Sequence, residues 1–386
     1  MATPSRDCSA QPAALAPART TDLAQARDTV RTADAGLAFA SYLRVAAMAG
    51  VVLIHSLSGM VTNDAIRGSL TWWTGTILSR GVSWAVPVFI MVSGALLLAP
   101  RPSESAGAFY RRRLHRIAIP LVVSHAGYFL VRWSLDHEAL TVNRIVADVL
   151  HANVYAQLYF FWIVLGMYLV TPLLRSALAG RSRREIAVVG LAGIAFMWAV
   201  QAGAVVLRAI GSGTTIWQPA ALVLWIPYVG YFVLGYALRD VVVSRRWGLA
   251  SVVALVVATA LGVWQYVYGG GPWLSALLGG GYQGLPIAAT AVAVFLIGRA
   301  LVPAAGRWAR SGTRGMLRNL AELTLGVFVI HLLVLRFAWR LPSVSFAAAS
   351  GSIPMTLGVW LIVLVASFAI CFVLARIPIL RRTIGM

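Results

Sequence analysis

Long apolar runs dominate this chain, and they restrict its fold more than any other feature. Each run is close to the ~20 residues that a helix needs to cross the hydrocarbon of a bilayer. Hydrophobic residues make up 60% of the 386 positions and charged residues only 11%. A water-soluble protein would lack the polar surface to cover such a core, so the sequence predicts an all-α, multi-pass membrane protein. We predict ten spans, at roughly 37–58, 81–99, 117–133, 158–178, 186–207, 217–238, 248–266, 285–302, 321–338 and 355–376.

The arginines between these runs predict the orientation of the chain. All 32 basic residues are arginine, and the formal charge is +20. With ten spans both termini lie on one side, and most arginines lie on that side too. The opposite side holds seven: Arg67, Arg80, Arg132, Arg144, Arg208, Arg336 and Arg340. Since cytoplasmic loops carry the excess of basic residues, both termini are predicted to be cytoplasmic. Membrane orientation is the simpler explanation of the arginines, so we do not expect the protein to bind nucleic acid.

The chain divides into two parts by composition. Residues 1–36 are rich in Ala, Thr, Pro, Arg and Asp without apolar periodicity, which predicts a disordered cytoplasmic tail. Residues 37–386 form the transmembrane domain, with no cleavable signal and no appended soluble domain expected. Cys8 lies in the polar tail and Cys371 inside the last span, so the sequence predicts neither a disulfide framework nor a thiolate metal site.

The first span carries an arginine and a histidine inside an otherwise apolar run. Arg44 and His55 are three helical turns apart, so both leave the same face of one helix, roughly 16 Å apart along its axis. Ionisable groups in a span are costly and usually mark a functional path. The alternative is that Arg44 snorkels to the interface and that His55 is a packed, hydrogen-bonded core residue.

A basic cluster follows the second span, where positive-inside anchoring needs only one or two arginines. Arg112, Arg113 and Arg116 are spaced to form one helix face, which suits phosphate through bidentate, charge-assisted hydrogen bonds. The alternative is contact with anionic lipid headgroups. Within the second span, Ser93-Gly94 allows close approach of a ligand or of another helix.

These segments resemble the acyltransferase 3 family of integral-membrane proteins, and within it the surface-polysaccharide O-acetyltransferase type. Arg44-x10-His55 is similar to the family's Arg-x10-His, the 87–94 segment to its Phe-rich Ser-Gly segment, and Arg113-x-x-Arg116 to its Arg-x-x-Arg loop. The segments 158–172, 228–236 and 325–331 are similar to later family segments. The resemblance runs from residue 40 to about 335.

The resemblance implies transfer of an acyl group, with acetyl expected, from cytoplasmic acyl-coenzyme A to a hydroxyl at the outer face. No permanently bound cofactor is implied, and acyl-coenzyme A is a co-substrate. His55 would be the catalytic base, and Arg44, Arg113 and Arg116 would handle the anionic end of the donor. The acceptor is expected to be a cell-surface glycan or glycolipid, at a cytoplasmic membrane whose lipids surround the protein. Many relatives carry a C-terminal extracytoplasmic hydrolase-like domain, which this chain is expected to lack.

Other polar and aromatic residues of the spans are weaker candidates for substrate binding. They are Ser93, Tyr159, Trp162 and His331, each of which could equally serve helix packing or a satisfied core. No carboxylate falls in the middle of a predicted span, which weakens an ion-coupled transporter and leaves an exporter or flippase of a polysaccharide or lipid-linked intermediate as the alternative. No metal site is predicted.

Overall fold

The computed structural model describes the backbone of residues 20–99, 104–211, 220–301, 311–341 and 351–385. Side chains are described within these ranges from residue 38 on, except for 311–314. This part of the chain contains α-helices, short 3₁₀ turns and no strands. The helices are α1 (Thr20–Val61), α2 (Leu70–Gly81), α3 (Ala85–Leu97), α4 (Ala106–Leu135), α5 (Val142–Leu150), α6 (Tyr159–Leu178), α7 (Arg183–Ala209), α8 (Val229–Leu238), α9 (Arg245–Tyr268), α10 (Gly271–Leu278), α11 (Leu285–Leu301), α12 (Ser311–Ala338) and α13 (Ile353–Arg376).

The all-α prediction is confirmed for the described residues, and the spans largely match. Nine helical segments there are long and apolar enough to cross a membrane, and the remaining predicted span, the eighth at 285–302, corresponds to α11, a shorter apolar helix. A total of ten crossings and cytoplasmic termini stay predictions. Helix α1 begins at Thr20, so residues 20–36 of the predicted disordered tail have a helical backbone. The remainder of that tail, residues 1–19, lies outside the described residues.

Two predicted spans differ from continuous helices. The second begins earlier, at Leu70, and is broken at residues 82–84 into α2 and α3. Pro87 accounts for the break, because proline has no N–H to offer the carbonyl four residues back and its ring clashes with that carbonyl. The sixth span starts with two 3₁₀ turns, Ala221–Val223 and Ile226–Tyr228, and only then becomes α8. The glycine-rich connection between α9 and α11 contains α10 between glycines with positive φ.

Helix α1 lies at the centre of the bundle. It packs against α2, α3, α11, α12 and α13, while α3 packs against α8 and α8 against α7. Small or apolar residues of α1 such as Ala47, Met48 and Val52 are fully buried by these neighbours. The side chains of α1 that face these neighbours therefore lie in the middle of the protein.

The outward faces of the peripheral helices are apolar and exposed. Helices α7, α9 and α13 contribute most of this surface, which includes Val188, Leu191, Val252, Val253, Val256, Leu361, Ile362 and Val365. Monomeric soluble proteins rarely expose apolar area of this extent. It fits a lipid-facing surface, so the protein is a multi-pass membrane protein.

The contact between α3 and α8 depends on two glycines. A Cβ at Gly94 would overlap the carbonyl oxygen of Phe232, and a Cβ at Gly235 would overlap that of Met91. Both obstacles are backbone atoms, which cannot move aside as a flexible side chain can. Close helix packing thus accounts for Gly94. Of the two alternatives given above for Ser93-Gly94, this is the approach of another helix.

We expect Gly94→Ala to destabilise the protein by at least about 2 kcal/mol, because the helices must separate to admit one methyl group. Gly358→Ala is the matched control: Gly358 lies within α13 and nothing lies within 4 Å of its added Cβ. That change should be neutral or slightly stabilising through helix propensity. Thermal unfolding midpoints in detergent measure both, and equal midpoints for the two variants would contradict the packing role of Gly94.

Candidate active site

The site begins with Arg44 and His55 on the uninterrupted helix α1. Both side chains are partly accessible although they lie within the bundle. Because the helix has no break between them, their separation is three turns, as the sequence predicts, and they share one face. The remaining elements bring different partners to each of these two levels.

At the level of His55 the partner is His331 of α12. The two imidazole ring centroids are 5.3 Å apart, and His331 is fully buried. The Nδ1 of His331 lies 2.8 Å from the carbonyl oxygen of Phe328 and 3.1 Å from that of Val327. Since a carbonyl only accepts, Nδ1 carries the proton and Nε2 has the free lone pair. That Nε2 is buried and has no hydrogen-bond partner within the described residues. We call this arrangement the histidine pair.

No carboxylate orients His55 in the described part of the chain. The nearest acid in sequence, Asp64, is 92% exposed and lies 3.8 Å from Arg67. The neighbour of His55 is therefore a second imidazole. A neutral imidazole nitrogen with a free lone pair can accept a hydrogen bond from the N–H of His55, which fixes the tautomer of His55 so that its other nitrogen is a base.

At the level of Arg44, three arginines approach one another. Arg44 interacts electrostatically with Arg113 and Arg116 of α4, as well as with Tyr168 and Glu322. Arg116 is exposed, and its Nε donates to the carbonyl oxygen of Gly385, 3.2 Å away. We call Arg44, Arg113 and Arg116 the arginine group. Like charges gathered within a bundle repel one another, so the group favours a polyanion among them.

Arg112, expected on the same face as Arg113 and Arg116, has a different partner. Its guanidinium lies 2.7 Å from Glu104, whose side chain is only 4% exposed. Glu104 also binds Arg175 at 3.0 Å. Arg112 therefore belongs to an ion-paired network at the start of α4. The residues follow one another on the helix, about 100° apart, which is why Arg112 and Arg113 have different surroundings.

The remaining candidates lie in three different places. Ser93 donates its hydroxyl to the carbonyl of Phe89, 2.8 Å away in its own helix. Trp162 contacts His125 edge-on with ring centroids 5.9 Å apart, and its Nε1 is buried without a hydrogen-bond partner in the described chain. Tyr159 is hydrogen-bonded to Tyr282. The structure places the ring of His331 beside that of His55, whereas Ser93 is hydrogen-bonded within its own helix and Arg112 pairs with Glu104.

The end of the bundle beyond His55 is tied together by ion pairs that sequence reasoning missed. Arg132 of α4 binds Glu138 and Asp148, each at 2.8 Å, and Arg336 of α12 pairs with Asp136. The hydrogen bond from Arg132 holds the pKa of Glu138 below its ordinary value. These arginines were predicted on the side opposite the termini only by counting. Within 132–148, arginines alternate with Asp and Glu, and this alternation is the sequence signal that could have indicated ion pairs.

No group of three or more His, Cys, Asp or Glu side chains within the described ranges could hold a metal ion.

Comparison with known families identifies this arrangement. A family model described as an acyltransferase domain, that of acyltransferase 3, matches residues 37–376. The chain belongs to the acyltransferase 3 family. It is thus a membrane acyltransferase, and the resemblance found in the motifs is confirmed over nearly all of the helical part. No curated protein and no solved structure matches the chain.

The match includes both levels of the site. Arg44, His55, the arginines of α4 and His331 all fall within 37–376.

Proposed function

We propose that this protein transfers an acyl group, acetyl in the first instance, from cytoplasmic acyl-coenzyme A to a hydroxyl of a cell-surface glycan or glycolipid. The protein would lie in the cytoplasmic membrane, with the arginine group on the inner side and the histidine pair in the outer half. The observation that carries the proposal is the geometry of α1. One helix face places the arginine group and the histidine pair roughly 16 Å apart, a separation that the long pantetheine arm of coenzyme A can span.

The donor binds at the arginine group. Guanidinium groups bind phosphate through charge-assisted and bidentate hydrogen bonds, and Arg113 and Arg116 lie at the end where a cytoplasmic donor would enter. Arg44 is deeper, on α1 itself. The thioester would then reach toward His55, which shares the face of α1 with Arg44.

The chemical step uses His55 as general base. Its unprotonated ring nitrogen takes the proton of the acceptor hydroxyl while that oxygen bonds to the thioester carbonyl carbon. The carbon–sulfur bond then breaks, and the coenzyme A thiolate leaves and takes the proton from the imidazolium. The products are the acyl ester and free coenzyme A thiol. His331 does not touch the substrate in this scheme: it orients His55.

The test uses purified protein in lipid, radiolabelled acetyl-coenzyme A and a panel of neutral and acidic oligosaccharides. Label on a glycan accompanied by equal thiol release, both dependent on His55, would support the proposal. Movement of a glycan across the bilayer without thiol release would favour an exporter. Label on a cytoplasmic metabolite alone would refute the outward-facing acceptor while leaving acyl transfer in place.

A further inference from the structure

A cleft of about 320 Å³ lies beside the first turn of α6. Its walls include His151, Asn153 and Tyr155 from the connection after α5, together with Tyr159 and Leu224. The cleft is at the Arg132 end of the bundle, since Arg132 binds Asp148 of α5 and the carbonyl of Val154. This volume is at the lower end of the ~300–1,000 Å³ typical of small-molecule sites.

The cleft walls combine aromatic rings with neutral hydrogen-bonding groups. Two tyrosines supply ring faces, Asn153 supplies an amide and His151 an imidazole, and Asp, Glu and Arg are absent from the described residues that line it. An anionic ligand would call for a cation here, and a lipid chain would call for a wholly apolar wall. A neutral sugar ring, with an apolar C–H face and a rim of hydroxyls, matches both the rings and the polar groups.

The aromatic walls of the cleft are held in place before any ligand binds. The Tyr155 ring is stacked on that of Tyr128, with centroids 4.3 Å apart. Tyr159 is fixed from the other side by its hydrogen bond to Tyr282. Walls that are already ordered spare the ligand part of the entropy cost of binding.

The same segment is tied to the helix that carries His331. The Tyr128 hydroxyl and the Gln157 amide both donate to the carbonyl of Val329, at 2.7 Å and 3.0 Å. Val329 is two residues before His331. In addition, the ring of Phe160 lies 4.8 Å from that of Phe328, which in turn is 5.8 Å from His331. The cleft and the histidine pair are therefore built on the same turn of α12.

We propose that this cleft binds the sugar ring of the acceptor. The inference rests on the proposed function and assigns its acceptor site to the turn around His151–Tyr159. A sugar in the cleft lies at the outer end of α6, next to the α12 turn that orients the base. The donor site, at the arginine group, is at the other level of α1, so the two substrates bind independently.

The test compares Asn153→Ala and Leu224→Trp with Asn143→Ala, using the oligosaccharide that wild-type protein labels best. Asn153→Ala removes a hydrogen-bonding group at an exposed position, and Leu224→Trp fills the cleft. Asn143 is an exposed residue of the neighbouring helix α5, outside the cleft. Losing one neutral hydrogen bond should raise the acceptor KM roughly three- to tenfold. Leu224→Trp should raise it further.

The KM for acetyl-coenzyme A and the slow release of thiol without acceptor should stay at wild-type values in all three variants. Acceptor KM values unchanged in Asn153→Ala and Leu224→Trp, with wild-type transfer intact, would overturn the cleft and leave the proposed function standing. An equal rise in Asn143→Ala, or a parallel rise in the donor KM, would also overturn it. A wild-type protein that labels no hydroxyl would overturn both. Asn153→Ala, at an exposed site, keeps the test open if Leu224→Trp does not fold.

Discussion

Replacing His55 by alanine is expected to lower the rate of acyl transfer by about 10²- to 10⁴-fold, the usual loss when a positioned general base is removed. The expectation follows from the place of His55 on α1, partly accessible and facing the buried His331. Acyl-coenzyme A binding should be unchanged, because the arginine group is three turns away. Single-turnover transfer of label with saturating donor measures the chemical step, and the donor Kd is measured separately.

Two variants separate the chemistry of His55 from general damage. His137→Asn removes an exposed histidine from the connection after α4, suits the positive φ of that residue, and should retain wild-type turnover. At His331, glutamine places a polar atom near the position of Nε2, whereas phenylalanine removes it. We expect His331→Phe to lower transfer and to displace the pH–rate profile, and His331→Gln to recover part of both. Wild-type turnover in His55→Ala would refute the assignment. Equal profiles in the two His331 variants would reduce His331 to a packing role.

Most of the helices could be predicted from the sequence, and so could the position of Arg44 and His55 on one helix face. Apolar runs of about 20 residues predict spans because the bilayer leaves a backbone few other solutions. Arg44 and His55 could be placed on one face because helix geometry is local. The break at 82–84 was also accessible from Pro87, whose missing N–H is visible in the sequence. The break was missed because hydropathy does not distinguish one continuous helix from two consecutive helices.

Contacts between distant segments could not be predicted in the same way. His331 is in the ninth predicted span, and nothing local indicates that its ring lies 5.3 Å from that of His55. The different surroundings of Arg112 and Arg113 depend on where Glu104 lies, and that is set by the turn before α4. The cleft is assembled from the connection after α5 and from the irregular start of the sixth span. Tertiary packing decides all three.

The second large effect is expected at Arg113. Arg113→Ala should weaken binding of acyl-coenzyme A by roughly 10- to 100-fold, the effect of losing a hydrogen bond between charged groups. Once the donor is saturating, the rate of the chemical step should be near that of wild type. Calorimetry or displacement of labelled coenzyme A in nanodiscs gives the donor Kd. Affinity should also fall as salt is raised, since the attraction between guanidinium and phosphate is screened.

Arg112 provides the matched control for Arg113. It is the adjacent arginine on α4, but it pairs with Glu104, which Arg175 also binds. Arg112→Ala should therefore leave donor affinity within about twofold of wild type, because the Arg112 guanidinium is engaged by Glu104 and Arg175 remains to pair with that carboxylate. Arg113→Lys adds a second distinction: it keeps the charge but lacks the planar fork for phosphate, so its affinity should fall between wild type and Arg113→Ala. If Arg113→Ala binds the donor as tightly as wild type but binds vesicles of anionic lipid more weakly, the basic cluster of α4 is a membrane anchor and the donor's phosphates must be held elsewhere.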